Sequence, residues 1–266
     1  MTFLAAFEWD CDPQIFKIGV VALRWYGLLF ATAFVLGFFL MRGIYRREGK
    51  KESDLDSLLT WMVVATIIGA RLGHCLFYEP AYYLSHPEKI IAVWEGGLAS
   101  HGGAIGILIA LWLYTRTRPD QPYLWLLDRI VLPTALAGCF IRLGNFFNSE
   151  IVGVHTDRSW GVIFRRLHDP EPRHPAQLYE SVCYLLVFFL LWAIYRSRGA
   201  ATPRGRLLGL FLVLVFGARF AIEFVKKRQA AWGEDLPLSV GQLLSIPVFA
   251  LGVYILARSR APEATT

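Results

Sequence analysis

The sequence predicts an all-α integral membrane protein with about seven transmembrane helices and a small cap on the outer side of the bilayer. Hydrophobic residues make up 55% of the 266 residues, charged residues make up 18%, and the mean hydropathy is +0.44. Seven stretches approach the roughly 20 apolar residues that cross a bilayer. They are Val20–Met41, Leu55–Tyr78, Leu98–Thr115, Tyr123–Phe147, Ala176–Tyr195, Arg206–Val225 and Leu238–Ala257.

Basic residues predict the orientation of these spans, because short loops rich in Lys and Arg stay on the cytoplasmic side. The loops of one side carry thirteen basic residues and those of the other side carry nine, and the first loop, between Arg42 and Lys51, shows the excess most clearly. We therefore expect the N-terminus outside and the C-terminus inside. Inward loops facing an anionic leaflet explain the net charge of +6, and nothing indicates binding to nucleic acid.

The chain is predicted to form one membrane domain, residues 1–266, with two longer outer loops. Loop 79–97 is aromatic and apolar in patches, as at Tyr82 and Trp94, and is expected to lie along the membrane interface. Loop 148–175 is polar, and its segment Trp160–Phe164 is predicted to be a short strand. This second loop is the predicted cap.

Polar residues of the spans converge on the outer half of the membrane, whereas a channel or proton path would place them at every depth. An ionisable group in a span is costly and is usually functional or paired. Several guanidiniums at one depth need anions to neutralise them, and the sequence offers few carboxylates at that depth. A negatively charged ligand would therefore balance the remaining positive charge. The residues concerned are Arg24, Tyr26, Arg71, His74, His101, Arg142, Asn145, Gln177, Tyr179, Glu180, Arg219, Glu223 and Gln242.

Each of these residues also has a purely structural interpretation. Arg219 and Glu223 are four residues apart and could neutralise each other on one helix face. Arg24 and Arg71 lie close to helix ends, from which their side chains could extend to the interface. Asn145 and Asn148 could form a bond between helices, Asp128 and Arg129 could be inner interface anchors, and His101 could make a helix-start contact.

The start of the third span, His101-Gly102-Gly103, resembles an anion-binding helix start, because glycines let backbone N–H groups approach a ligand. The sequence lacks the motifs of other intramembrane enzymes. The sequence has no H-E-x-x-H and no G-x-S-x-G, and its outer-loop histidines show no regular metal-ligand spacing. No metal site is therefore expected.

The segment from Arg142 to Gly153, RLGNFFNSEIVG, resembles the signature of prolipoprotein diacylglyceryl transferases. Further matches follow in family order along nearly the whole chain. They are Arg24-Trp-Tyr26-Gly, Gly69-Ala-Arg71, His101-Gly-Gly103, Arg173 to Glu180, Arg219 with Glu223, and Gly241-Gln242. Ile141 departs from the usual glycine and Val215 from the tyrosine of some members, so a divergent or less active relative is left open.

The resemblance implies a bacterial cytoplasmic (inner) membrane enzyme that moves the diacylglyceryl group of phosphatidylglycerol to the lipobox cysteine of a prolipoprotein. A thioether forms, glycerol phosphate leaves, and no cofactor is implied. Arg142 and Arg219 would stabilise charge on the phosphate, and His101 would take the thiol proton. The implied substrate-binding residues are Tyr26, Arg71, Gly102, Gly103, Asn145, Asn148, Glu150, Gly153 and Glu223. The competing hypothesis is a non-catalytic lipid or anion transporter that uses the same cations.

Overall fold

The structure is a computed structural model that describes residues 7–19, 21–228 and 236–259; Val20 and Arg260 lie outside them. Its longer helices are α1 (Trp25–Arg47), α2 (Ser53–Phe77), α3 (Pro80–Ser85), α4 (Ser100–Arg116), α5 (Tyr123–Phe147), α6 (Ala176–Arg198), α7 (Arg206–Ile222) and α8 (Val240–Arg258). The strands within this part are β1 (Phe7–Trp9), β2 (Gln14–Ile18), β3 (Val21–Arg24) and β4 (Val162–Phe164). One-turn 3₁₀ helices cover Pro87–Lys89, Val93–Glu95, Arg165–Leu167, Gly199–Ala201 and Glu223–Val225.

The helical prediction is confirmed, and α5 begins and ends where it was predicted. The start of the first span was wrong, since Val21–Arg24 is strand β3 rather than helix. Gly19 takes φ +58° in the turn that returns β3 antiparallel along β2. An apolar run alone does not distinguish a buried strand from a helix, which is why this hairpin was not predicted.

Six helices of the described residues are long and apolar enough to cross a membrane, by length and composition. They make the chain a multi-pass membrane protein of helical type. These six are α1, α2, α5, α6 with its 3₁₀ extension, α7 with its 3₁₀ extension, and α8. Helix α4, the third predicted span, has 17 residues and is shorter than the others.

The contacts divide the chain into two compact units, and the first comprises residues 1–40 and 128–266. In it, α7 packs against α6 and α8, and β1 pairs in parallel with β4. A small core of Phe146, Val152, Val162 and Phe164 lies beneath this sheet. The core ties the end of α5 to the predicted cap loop, and the strand prediction at Trp160–Phe164 is confirmed over its last three residues.

Asp128 and Arg129 of the same unit were predicted to be interface anchors, and this is wrong because both side chains are buried. The Asp128 carboxylate accepts hydrogen bonds from the backbone N–H groups of Gly205 at 2.6 Å and Leu208 at 2.8 Å. These N–H groups belong to the first turn of α7, which has no partners of its own for them. Asp128 therefore caps α7 from a neighbouring helix.

The second unit, residues 41–127, is built on close packing of α2 against α4. Glycines form the contact: a Cβ on Gly102 would lie 2.7 Å from the Cα of Gly73, and one on Gly106 would lie 3.0 Å from the Cα of Gly69. Backbones of membrane helices approach this closely where small residues face each other. Gly102 thus has a packing role, whereas a Cβ on Gly103 would make only ordinary contact, at 3.6 Å from that of Ala70.

Candidate active site

The end of α5 carries the first polar side chains of the signature segment. Arg142 Nη1 donates to Asn145 Oδ1 at 3.0 Å. Asn145 Nδ2 donates to Glu150 Oε1 at 2.7 Å, and Asn148 Nδ2 donates to the same oxygen at 3.1 Å. The two asparagines therefore bond within the segment, and a bond from either of them to another helix is not seen for the described residues.

The backbone after α5 is strained. Ser149 and Ile151 have φ of +55° and +60°, which a β-branched residue such as isoleucine rarely adopts. Glu150 lies between them, and its N–H donates to Asn145 O at 3.1 Å while its carbonyl accepts from Gln177 Nε2 at 2.6 Å. Strain of this kind, about 1–3 kcal/mol per residue, persists where the surroundings hold it and is common at functional sites.

Gly153 ends the signature segment at a point where no side chain fits. A Cβ there would lie 2.5 Å from that of His174 and 2.7 Å from the carbonyl oxygen of Val225. Backbone hydrogen bonds join this part of the chain to two other segments, from Gly153 N to His174 O and from Val154 N to Val225 O, each at 2.9 Å. The segment is thereby joined to the chain after α7, next to Lys226. Substrate contact by Gly153 stays a prediction.

Four side chains of alternating charge form a row in this unit, which we call the charge row: Arg142, Glu180, Lys226 and Glu223. Arg142 Nε lies 2.8 Å from Glu180 Oε2, and Lys226 Nζ lies 3.4 Å from Glu180 Oε1 and 3.1 Å from Glu223 Oε2. The Glu180 side chain is 0% exposed and that of Lys226 is 2% exposed. Each carboxylate of the row is therefore already paired with a cation.

Arg219, one helical turn before Glu223, makes no hydrogen bond or ion pair with any residue in the described ranges. Its charge acts on Tyr184, a neighbour on α6. The structural interpretation in which Glu223 neutralises Arg219 is wrong, because Glu223 pairs with Lys226. A half-buried guanidinium without a carboxylate is suited to an anionic ligand.

Tyr26, in the first turn of α1, lies beside the signature segment. A Cβ on Gly144 would come within 2.7 Å of the Tyr26 ring, so the glycine makes room for it. The Tyr26 phenol also interacts electrostatically with Glu150 and Arg142. The structure therefore brings Tyr26 to the same place as the predicted residues of α5, whereas Arg24 before it is exposed.

His101 belongs to the other unit, residues 41–127. Its ring lies 5.5 Å from that of Phe77 and 5.8 Å from that of Tyr78, between centroids. The side chain is exposed, and its ring nitrogens form no hydrogen bond with residues the structure describes. The imidazole is therefore available for proton transfer, and its role as the base stays a prediction.

Arg71, in the same unit as His101, has its guanidinium committed to backbone carbonyls of the loop between α2 and α4. It donates to Lys89 O at 2.5 Å, Ile90 O at 2.8 Å and Gly96 O at 2.5 Å. Arg71 is 3% exposed, and its guanidinium lies 5.0 Å from the ring of Tyr83. It holds this loop in place, and a contact with substrate stays a prediction.

Lys226 is the part of the site that sequence reasoning missed, since it was counted as an outer-loop cation. Gln177 and Glu180 were among the converging polar residues, and Glu180 belongs to a family motif, but neither was named as a site residue. The one available signal was the spacing of three between Glu223 and Lys226, which fits a surface pair equally well. Burial of the lysine follows from the backbone pairing of residues 225–227 with Val152–Val154, a contact between distant parts of the chain.

The spanning helices define a multi-pass membrane protein, and the charge row places a set of paired charges near the end of α5. The chain matches the model of the family described as prolipoprotein diacylglyceryl transferase over residues 13–258. Among its relatives, the phosphatidylglycerol–prolipoprotein diacylglyceryl transferase of Tolumonas auensis is 52% identical, over 96% of this chain and 98% of the relative. Proteins of the same name from Chloroherpeton thalassium (53%; 94% and 93% covered) and Porphyromonas gingivalis (43%; 97% and 96% covered) are also similar.

The chain belongs to the prolipoprotein diacylglyceryl transferase family. It is therefore a transferase of lipoprotein biogenesis, as the resemblance of the signature segment implied. The competing hypothesis of a non-catalytic transporter is overturned by this assignment.

Proposed function

We propose that the chain transfers the diacylglyceryl group of phosphatidylglycerol to the lipobox cysteine of a prolipoprotein. The names of the relatives supply the two substrates. The observation that carries the site assignment is the half-buried Arg219, which lies beside an ion-paired row and has no carboxylate of its own among the described residues. A phosphodiester is the part of phosphatidylglycerol that such a group would bind.

The charges of the cluster support a single bound anion. In the charge row together with Arg219, Arg142, Arg219 and Lys226 contribute three positive charges, and Glu180 and Glu223 contribute two negative charges. Glu150 is left out of this count because it is exposed to solvent and is bonded to Asn145 rather than to a cation. One cation is therefore in excess, which matches the single negative charge of a phosphodiester. An unpaired charge away from water is costly, so the ligand would also relieve the cost of burying Arg219.

The reaction increases the charge at the same place. The lipobox sulfur attacks the glyceryl carbon, a sulfur–carbon bond forms, and the carbon–oxygen bond breaks with its electrons going to the phosphate oxygen. Glycerol phosphate leaves as a monoester, which can carry a second negative charge. Arg219 and Arg142 would stabilise that growing charge, and stabilisation that increases toward the transition state accelerates the step.

The attacking sulfur must be a thiolate, whereas a free cysteine has a pKa of about 8.5. We assign His101 as the base that takes the thiol proton, since its ring nitrogens have no other partner among the described residues. Arg71 would support it indirectly, by fixing the loop that precedes α4. The remaining residues proposed to line the lipid site are Tyr26, Gly102, Gly103, Asn145, Asn148, Glu150, Gly153 and Glu223.

Purified protein in detergent, phosphatidylglycerol and a lipobox peptide test this function. The expected products are a peptide heavier by the diacylglyceryl group and an equal amount of free glycerol phosphate, measured by mass spectrometry and an enzymatic assay. A peptide with serine in place of the cysteine and a lipid without glycerol phosphate are the controls. Absence of both products with well-folded protein would overturn the proposal.

We further propose seven spans in the bacterial inner membrane, with α4 as the third and the cap segment 148–175 outside. The 17 residues of α4 extend about 26 Å, at the short end of the helix lengths that span a bilayer. An odd number of spans agrees with an outer N-terminus and an inner C-terminus. Single cysteines at Ser53 and Ser159, in a cysteine-free variant, should react with an impermeant reagent from opposite sides. Reaction from one side would refute this topology.

A further inference from the structure

Lys226 is a buried cation to which the proposed reaction gives no role. It follows the 3₁₀ turn Glu223–Val225 that ends α7, and its backbone forms a bridge with Gly153. Its ammonium group lies between the carboxylates of Glu180 and Glu223, at 3.4 and 3.1 Å. A lysine so enclosed is retained at a cost in desolvation, which calls for an explanation.

The position of Glu223 explains why a lysine is retained at this place. Arg219 and Glu223 are four residues apart, the spacing at which opposite charges usually pair. The Glu223 carboxylate instead lies against Lys226 on one side and Gly241 on the other. A Cβ on Gly241 would lie 2.5 Å from the carboxyl carbon of Glu223, so a larger residue there would displace the carboxylate from this position. Glu223 thus pairs with Lys226 in the space that Gly241 leaves, and it forms no ion pair with Arg219 in the described structure.

We propose that Lys226 is a positioning residue, which binds Glu223 so that Arg219 stays free to bind the phosphate of the lipid substrate. Without the ammonium group, Glu223 would turn to Arg219 and compete with the lipid. Lys226 acts through Glu223 and need not touch the lipid. The inference rests on the proposed function, because it assumes that Arg219 binds a lipid phosphate.

The test is a double-mutant cycle between positions 226 and 223, with the KM for phosphatidylglycerol and kcat measured separately. Lys226→Met should raise KM on the order of tenfold and change kcat less, since it weakens ground-state binding. Lys226→Arg, which keeps the cation, should stay within about threefold of wild type. Lys227→Met is the matched control at the exposed neighbour and should leave both constants unchanged.

In the Glu223→Gln background there is no carboxylate to compete, so Lys226→Met should raise KM by less than about threefold. An equal factor in both backgrounds would show that Lys226 acts independently of Glu223, and an unchanged KM in Lys226→Met would show that it has no such role. Either result overturns the inference. Thermal unfolding of every variant identifies a loss of folded protein.

Should Lys226→Met fold poorly, Gly241→Ala tests the same idea from the other side of Glu223. It displaces the carboxylate while Lys226 is intact, and it should raise KM in the same way; an unchanged KM contradicts the inference. An inactive wild type would refute the proposed function itself. An active wild type whose variants behave alike would refute only the role of Lys226.

Discussion

Two arginines of this protein, the buried Arg71 and the half-buried Arg219, differ in the groups that surround the guanidinium. Arg71, on α2, donates its N–H groups to backbone carbonyls of the loop between α2 and α4. Arg219 lies beside a row of charges in which each carboxylate is already paired, and it binds none of them. The same residue type, at similar positions near the ends of two spanning helices, therefore has one closed and one open environment.

The difference teaches how a functional charge can be recognised. Neutral carbonyls satisfy the hydrogen-bonding capacity of a guanidinium and fix a loop, but they leave the site without a place for a ligand. An arginine whose neighbours are paired with each other keeps its donors for an incoming anion. What separates the two cases functionally is the set of partners of each guanidinium.

The largest effect on activity is expected when the planar guanidinium of Arg219 or Arg142 is replaced. Arg219→Lys and Arg142→Lys keep the positive charge but lose the forked geometry that matches a phosphate. Each should lower kcat/KM by roughly 10²–10³-fold at unchanged expression. Initial rates with phosphatidylglycerol and a lipobox peptide measure this, and near-normal turnover of both lysine variants would rule out bidentate phosphate binding.

His101 allows the second comparison, between a base and a merely structural histidine. His101→Gln keeps a hydrogen-bond donor but cannot accept the proton, so activity near neutral pH should fall by about 10²–10⁴-fold. Raising the pH toward about 9 supplies substrate thiolate without help and should restore part of the rate. Parallel pH–rate profiles of the wild type and His101→Gln would leave His101 only a positioning role.

Replacing Arg71 should lower the stability of the protein more than replacing Arg219, which is the reverse of the order expected for activity. Arg71→Met removes several buried hydrogen bonds to carbonyls and should destabilise the protein by roughly 3 kcal/mol. Arg219→Met removes a charge that has no ion pair in the described structure, so the melting temperature should stay the same or rise. Thermal unfolding in detergent measures both, and equal decreases would remove the distinction between the closed and the open environment.

Much of the fold was predictable, because spanning helices depend on local composition. The bounds of α5 were predicted correctly, and α2, α6, α7 and α8 were predicted with small errors. The hairpin of β2 and β3 was missed, since Val21–Arg24 continues the apolar run of α1 and only Gly19 indicates the turn. Single-sequence patterns do not settle such boundaries.

The site was predictable where its residues lie in one continuous segment. Arg142, Asn145, Asn148 and Glu150 were chosen from the signature segment, and the structure brings them together through hydrogen bonds. Lys226 was missed because its burial depends on pairing between residues separated by about seventy positions. Long-range backbone pairing of this kind leaves little trace in the local sequence.

The smallest expected effect concerns a third charged environment, the partly exposed ion pairs of Asp169 in loop 148–175. Asp169 accepts hydrogen bonds from His155 Nε2 at 2.9 Å and from Arg173 Nε at 3.0 Å. The hydrogen bond from His155, helped by the N–H of Glu171 and by Arg173, lowers the pKa of the Asp169 carboxyl. A lowered pKa means that the charged form stabilises the folded state.

The lowered pKa of Asp169 determines how its contribution to stability changes with pH. Stabilisation by Asp169 is complete above its unfolded-state pKa of about 3.9, and it is lost as the pH falls through the lower pKa of the folded state. Asp169→Asn should therefore lower the melting temperature near pH 7 only slightly, on the order of 1–2 °C, because ion pairs that water reaches contribute little. The difference from wild type should shrink as the pH falls below about 4, where the Asp169 carboxyl of the unfolded chain begins to take up a proton while that of the folded state stays charged. Melting curves from pH 7 to pH 3 measure it, with Asp157→Asn as an exposed control in the same loop. A difference that stayed constant with pH would mean that Asp169 stabilises its loop by its shape rather than by its charge. A difference as large as that expected for Arg71→Met would show that these partly exposed pairs matter as much as buried contacts.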